Sequence, residues 1–236
     1  MKYFCGIYQF RFFLLIILVS SNLHSETTHV GELRKGIFQT SATITELISE
    51  LSTQEQKSYE SIIAADELIE WEIYVPTNYQ PNKKPGLMVY ISPSRTGKIP
   101  ERWISLMDKH NLIWVSANRS GNNIDPRKRL IMAVLATTFI YKKYPVDLNR
   151  VYVSGLSGGG RMASIVASQF PHLFKGAIYN CGVNFWKNIS PEKIDAIKQN
   201  RFVFVTGRND FNLEDTNPNI SYNRYITALF PNISYV

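Results

Sequence analysis

From about residue 67 onward, short continuous apolar runs alternate with longer segments whose apolar positions repeat at helical spacing. The apolar runs predict buried strands at residues 68–75, 87–91, 112–115, 151–153, 177–179, 202–205 and 233–236. The segments between them predict helices at residues 101–109, 125–141, 160–169, 191–199 and 222–229. Continuous apolar strands that alternate with amphipathic helices are typical of an α/β fold, in which helices cover both faces of a mostly parallel sheet.

The first residues have a different pattern, which predicts a secretory signal peptide over residues 1–25. Lys2 and Arg11 supply positive charge, residues 12–19 are apolar, and serines follow them. Because this apolar run is shorter than the about 20 residues that cross a bilayer, we expect no stable membrane insertion after cleavage. An uncleaved N-terminal anchor is the alternative. The prediction places the mature protein in a secreted or periplasmic location.

Residues 26–60 form a polar, weakly patterned N-terminal segment, in which Glu46 stands three positions after Thr43. This spacing favours a short helix over residues 43–51 that begins with the threonine as its cap. A length of 236 residues suits one substantial domain. The alternating pattern places that domain at residues 61–236.

Charge and cysteine content narrow the functional classes. The chain carries 26 Lys and Arg against 19 Asp and Glu, but its longest basic cluster is only residues 127–129. We therefore expect no nucleic-acid binding. Loss of a signal peptide would leave Cys181 as the single cysteine, which excludes an internal disulfide. The Cys and His residues lack metal-ligand spacing, so we predict neither a metal nor another cofactor.

The sharpest local motif is Gly-Leu-Ser-Gly-Gly at residues 155–159, which has the form G-x-S-x-G. A tight turn between strand and helix would lift the Ser157 hydroxyl above the carboxyl edge of the sheet. The N–H of Gly158, at the helix start, would then stabilise a developing oxyanion. A chance glycine-rich turn is one alternative. A dinucleotide-binding turn is another, since residues 158–163 fit G-x-G-x-x-A, but residues 173–191 hold no acidic residue for the ribose.

A candidate acid follows a later strand. Functional side chains gather at the carboxyl ends of parallel strands, and Asp210 comes just after strand 202–205. It is therefore placed to orient an imidazole beside Ser157. Glu214 and Asp215, further along the same loop, are weaker candidates. An Asx turn or a helix cap is the alternative role for Asp210.

The general base has no obvious candidate. His110 and His172 precede predicted strands, which puts them at the amino edge of the sheet, and His29 lies in the polar N-terminal segment. In the order nucleophile, acid, histidine, the base is expected after the last strand, and this sequence ends there at Val236. A serine without a base is a poor nucleophile at neutral pH.

Residues 151–161, Val-Tyr-Val-Ser-Gly-Leu-Ser-Gly-Gly-Gly-Arg, resemble the nucleophile segment of secreted alpha/beta-hydrolase esterases. Within these esterases, the segment resembles that of the polyhydroxybutyrate depolymerase and feruloyl-esterase-like group, and prolyl-oligopeptidase-type hydrolases are more distantly similar. The resemblance implies an alpha/beta-hydrolase fold with Ser157 as nucleophile, Asp210 as triad acid and the Gly158 N–H as oxyanion donor. It also implies a chain truncated before the catalytic histidine, with the C-terminal end of the fold incomplete.

Substrate contacts are predicted from two loops. The resemblance implies a second backbone oxyanion donor near Ser94 or Arg95, although residues 92–97, Ser-Pro-Ser-Arg-Thr-Gly, replace the His-Gly turn of the family. Asn184 and Trp186 are candidates to line an acyl or aromatic pocket, with loop anchoring as the alternative.

A third loop carries Arg119 and Asn122. These side chains either contact a polar substrate or are solvated, and we favour solvation. The sequence thus indicates an exported serine hydrolase that acts on a small-molecule or polymeric carboxylic ester. A peptidase of prolyl-oligopeptidase type, a non-catalytic hydrolase-like binding protein and an unstable fragment are the alternatives.

Overall fold

A computed structural model describes residues 34–80, 82–184, 191–210, 222–223, 225–226 and 230–236. The strands are β1 (Gly36–Thr43), β2 (Leu68–Val75), β3 (Gly86–Ile91), β4 (Leu112–Ala117), β5 (Val151–Leu156), β6 (Gly176–Asn180), β7 (Arg201–Val205) and β8 (Ile233–Tyr235). The helices are α1 (Ile44–Ile48), α2 (Thr53–Glu60), α3 (Glu101–His110), α4 (Pro126–Tyr141), α5 (Gly158–Gln169) and α6 (Pro191–Lys198). The predicted signal peptide lies outside the described residues.

The described strands form one sheet in the order β1-β2-β4-β3-β5-β6-β7-β8. Strand β2 pairs antiparallel with β1 and β4, and all other neighbouring pairs are parallel. The carboxyl ends of β3 to β8 therefore meet at one edge of the sheet. This arrangement confirms the predicted α/β fold with its mostly parallel sheet.

The two faces of the sheet pack into separate cores. Val89 and Val115 point into the larger core, which contains most of α4 and α5. Met88 and Trp114, on the opposite face of the same strands, pack with Met107 of α3. Helices therefore cover both faces, as continuous apolar strands require. In the described part of the chain, no helix combines the length and apolarity needed to cross a membrane.

Helix α4 is the central helix of the larger core. Asp125 is its N-cap, with its carboxylate accepting a hydrogen bond from the Arg127 N–H at 2.8 Å, and Pro126 occupies the first turn. Most residues of α4 are buried, and its Phe139 stacks on Trp71 of β2 with ring centroids 5.4 Å apart. The helix predicted at residues 125–141 is confirmed.

The sheet begins earlier in the chain than the sequence pattern predicts. Strand β1 pairs with β2 along its whole length, although it lies in the segment read as polar, residues 26–60. It is an edge strand with one covered face, and only Phe38 and Ala42 are buried along it. Because so few apolar residues are needed there, the periodic signal of the strand is weak.

The cap predicted at Thr43 is present. Its hydroxyl accepts the N–H of Glu46 at 3.2 Å, and the Glu46 carboxylate accepts the N–H of Thr43 at 2.7 Å. The helix that follows, α1, is shorter than the predicted 43–51. A second capping box, at Ser52 and Glu55, starts the mostly polar α2, which the apolar pattern does not predict.

We expect Trp71→Ala to lower the free energy of unfolding by about 3–5 kcal/mol, because it opens a cavity against α4. Trp71 is 0% exposed, whereas Leu68 on the same strand is 55% exposed. Leu68→Ala is the matched control and should change stability by less than about 1 kcal/mol. Urea unfolding followed by circular dichroism measures both. Similar losses for the two variants would contradict the packing described for β2.

Candidate active site

The turn between β5 and α5 holds Ser157 in an unusual backbone conformation. Its φ is 53° and its ψ is −120°, a combination that side-chain-bearing residues rarely adopt. The Ser157 N–H donates to the carbonyl of Asn180 at 2.8 Å, and the Ser157 carbonyl accepts the N–H of Arg161 at 3.0 Å. These two bonds connect the turn to the end of β6 and to the first turn of α5. The serine is thereby fixed at the carboxyl edge of the sheet.

Close backbone approach explains two of the glycines around Ser157. A side-chain carbon at Gly159 would collide with the carbonyl oxygen of Ile91 at the end of β3. One at Gly182 would collide with the carbonyl oxygen of Ser157 itself. The ends of three neighbouring strands, β3, β5 and β6, are therefore packed around the serine, and only glycine fits at these contacts.

Helix α5 and the loop after β4 lie next to Ser157. Gly158 is the first residue of α5, so its N–H has no acceptor inside the helix. The side chain of Asn122 lies directly against Gly158, where an added carbon would touch its amide. The sequence favours a solvated Asn122, and its side chain is indeed exposed. The structure adds that this side chain lies against the turn that carries Ser157.

Ser94, the predicted second donor, lies in the loop after β3. Its N–H donates to the hydroxyl of Ser92 at 3.1 Å. The loop after β4 packs against it, because a side-chain carbon at Gly121 would come within 2.9 Å of the Ser94 carbonyl. The Ser94 N–H therefore already has an acceptor in its own turn, and donation to an oxyanion would have to share or break that bond.

A buried arginine ties these loops together. Arg129 of α4 is 5% exposed, and its Nε donates to the Ser120 carbonyl at 2.7 Å. Its Nη2 donates to the Ser92 carbonyl at 3.0 Å, and its Nη1 approaches the Gly158 carbonyl at 3.5 Å. Burial lowers the pKa of Arg129 to about 10. One guanidinium thus connects the loops after β3 and β4 with the first turn of α5.

The basic cluster at residues 127–129 does not form a common patch. Arg127 pairs with Asp125 at 2.6 Å, Lys128 pairs with Glu67, and Arg129 points inward. The inward position has a weak sequence signal, because residues 132, 133 and 136, which share a helix face with residue 129, are apolar. The charge of the side chain obscures that signal.

Asp210 lies beyond the carboxyl end of β7, next to Cys181 at the end of β6. The Thr206 hydroxyl donates to the Asp210 carboxylate at 3.3 Å, and the Cys181 N–H donates to the Val205 carbonyl at 2.8 Å. Burial raises the pKa of the Cys181 thiol, and a hydrogen bond with the Asp210 carboxylate raises it further. Since Gly182 contacts Ser157, the Cys181–Gly182 turn lies between the serine and the aspartate.

The described histidines are at the opposite edge. His110 is the last residue of α3 and precedes β4, and His172 precedes β6. Neither follows the carboxyl end of a strand. His29 lies outside the described residues. The part of the chain that the structure describes therefore brings no imidazole to Ser157.

Of the remaining predicted residues, only Asn184 lies in the described part of the chain. Asn184 is attached to α5 through its backbone N–H, which donates to the Ser164 hydroxyl at 2.9 Å. Trp186, Glu214 and Asp215 lie outside the described residues. Within the described ranges, no three His, Cys, Asp or Glu side chains are grouped to hold a metal.

A mostly parallel sheet with a serine at positive φ between a central strand and its helix is the architecture of the alpha/beta-hydrolase fold. Residues 132–225 match the prolyl oligopeptidase family model. A solved ferulic acid esterase superposes with a TM-score of 0.60 at 13% identity, over 86% of this chain and 90% of that chain. The fold predicted from the sequence is confirmed.

Two curated esterases are similar in sequence. Acetylxylan esterase A of Aspergillus awamori is 28% identical over an alignment of 128 residues, and the match covers 48% of this chain and 41% of that protein. Poly(3-hydroxybutyrate) depolymerase of Ralstonia pickettii is 28% identical over an alignment of 95 residues, and the match covers 34% of this chain and 20% of that protein. The matches thus span less than half the length of either relative, and they confirm the predicted resemblance to this esterase group.

We expect Arg129→Met to lower the free energy of unfolding by about 2 kcal/mol or more, because it leaves buried carbonyls without a donor. Arg127→Met is the matched control, since Arg127 is an exposed neighbour whose loss should have little effect. Chemical unfolding of both variants gives the comparison. Equal stability of the two variants would show that the buried guanidinium does not hold the loops.

We expect Asp210→Asn to lower the apparent pKa of the Cys181 thiol, because the variant removes a carboxylate that disfavours the thiolate. The pH dependence of iodoacetamide alkylation, mapped to the Cys181 peptide by mass spectrometry, should shift its midpoint downward. Asp195→Asn, at an exposed residue of α6, is the control. An unshifted midpoint in the Asp210 variant would place the two side chains apart.

Proposed function

We propose that this chain is part of an exported serine hydrolase that cleaves carboxylic esters, with Ser157 as the nucleophile. The observation that carries the proposal is the positive φ of Ser157 at the turn between β5 and α5. Such strain persists only where surrounding structure enforces it, and it is the geometry that exposes a serine hydroxyl for attack. The two curated esterases similar in sequence support an ester as the substrate class.

The proposed roles follow from position. The Ser157 hydroxyl attacks the acyl carbon, and the Gly158 N–H at the start of α5 stabilises the oxyanion that develops. Ser94 is proposed as the further backbone donor, once its bond to Ser92 opens. Asp210 orients the histidine that accepts the serine proton, and water then releases the acyl group. Asn184 and Trp186 are proposed to contact the acyl group.

The general base is proposed to come from outside the described residues. Both described histidines precede strands, whereas Ser157 follows one, so neither is within reach. Residues 1–25 are proposed to direct export to a secreted or periplasmic location, where a small or polymeric ester is the substrate.

Two alternatives have specific support. The match of residues 132–225 to the prolyl oligopeptidase family favours an amide substrate, which the same nucleophile would cleave. The edge position of the described histidines favours a non-catalytic protein that binds a ligand in the same cleft.

We expect a fluorophosphonate probe to label the folded chain once, and Ser157→Ala to abolish the labelling, because only an activated serine reacts. Ser61→Ala, at an exposed serine after α2, should label like the unchanged chain. Intact mass spectrometry gives the stoichiometry. A folded chain that takes up no probe would show that its own residues do not supply the base. A chain extended past Val236 that also takes up no probe would overturn the catalytic proposal and favour the binding protein.

Turnover of nitrophenyl esters, compared with turnover of peptide nitroanilides, then distinguishes an esterase from a peptidase. Faster turnover of the esters, lost in Ser157→Ala, supports an esterase. Preferential cleavage of the anilides would replace it with a peptidase.

A further inference from the structure

A cavity lies at the amino edge of the sheet, opposite the edge that carries Ser157. Its volume is about 640 Å³, within the range of small-ligand sites. The described residues that line it come from the starts of β5, β6 and β7 and from the end of α6. They include Arg150, His172, Lys175, Asn200 and Arg201.

Three permanent cations meet at this cavity because of the parallel topology. Arg150 directly precedes β5, Lys175 directly precedes β6, and Arg201 is the first residue of β7. These strands are neighbours in the sheet and run in the same direction. Their amino ends therefore align, and one basic side chain from each strand start faces the same space.

Among the described residues, no carboxylate pairs with these three cations. The described lining residues include no Asp or Glu, and the ion pairs of the described residues use other cations. Arg150 donates to the His110 carbonyl at 2.5 Å, and Lys175 donates to the His172 carbonyl at 2.7 Å. These neutral acceptors hold the two head groups without cancelling their charge. A concave site with uncompensated charge of one sign concentrates counter-ions.

The wall of the cavity is fixed by a buried amide. Asn200 is 5% exposed, and its side-chain nitrogen donates to the carbonyls of Pro171 and Phe174 at 2.9 and 2.8 Å. Those bonds hold the segment that carries His172 and Lys175 against the start of β7. The cationic wall is therefore formed before any ligand binds.

We propose that this cavity binds a small oxyanion with several negative charges, of the pyrophosphate class. Guanidinium groups present paired donors that match phosphate oxygens, and an ammonium adds a compact positive charge. Two arginines and a lysine around one cavity suit a ligand with charges on more than one phosphate group. The site is independent of the proposed esterase activity, since it lies at the other edge of the sheet.

Isothermal titration of the full chain with tripolyphosphate tests the proposal. We expect one saturable site, with affinity that falls as salt is raised. Arg201→Gln and Lys175→Gln should each weaken binding roughly tenfold, and the double variant more, because each removes a charge-assisted contact. Arg102→Gln, which removes an equally positive and exposed arginine on α3, should bind like the unchanged chain.

Circular dichroism confirms that each variant is folded before titration. Absence of a saturable site in the unchanged chain would overturn the proposal. Undiminished binding by the double variant would also overturn it, since the ligand would then lie elsewhere. Equal weakening by Arg102→Gln would show attraction to the net positive charge of the chain instead of a cavity site.

Discussion

The backbone of Ser157 is the constraint on which the rest of the carboxyl edge depends. A residue with a side chain is held at a φ of 53°, at a cost of order 1–3 kcal/mol for such conformations, so its surroundings must leave no easier alternative. The hydrogen bond to Asn180 and the crowding at Gly159 and Gly182 supply that confinement. Strands β3, β5 and β6 must therefore end at matched positions, which their parallel register provides.

Polar groups buried beneath the site extend this confinement to the loops. Arg129 donates hydrogen bonds to one carbonyl in each of two loops, and it approaches a third carbonyl, in the first turn of α5. A buried guanidinium without a carboxylate is costly unless its donors are satisfied, so these loop conformations and the arginine depend on one another. The Cys181–Gly182 turn lies on the other side of Ser157. There Gly182 packs against the serine backbone, and Cys181 contacts Asp210.

The interior of the fold is predictable from the sequence because its strands are buried on both faces and read as continuous apolar runs. Strand β1 is not predictable in this way, since an edge strand with one covered face needs only Phe38 and Ala42 inside. The location of Ser157 and Asp210 at the carboxyl edge of the sheet is predictable, because each follows a strand. Arg129 is concealed in a basic cluster, and the contact between Asn122 and Gly158 depends on loop conformations that no local pattern encodes.

A crystal structure of the chain, refined at a resolution that defines the carbonyl oxygens, tests the central claim most directly. The account predicts a positive φ at Ser157, with its N–H on the Asn180 carbonyl and the Arg129 guanidinium on the carbonyls of Ser92 and Ser120. A Ser157 in ordinary helical or extended conformation, with Arg129 turned to solvent, would contradict it, because the serine would then be a loop residue without an enforced geometry.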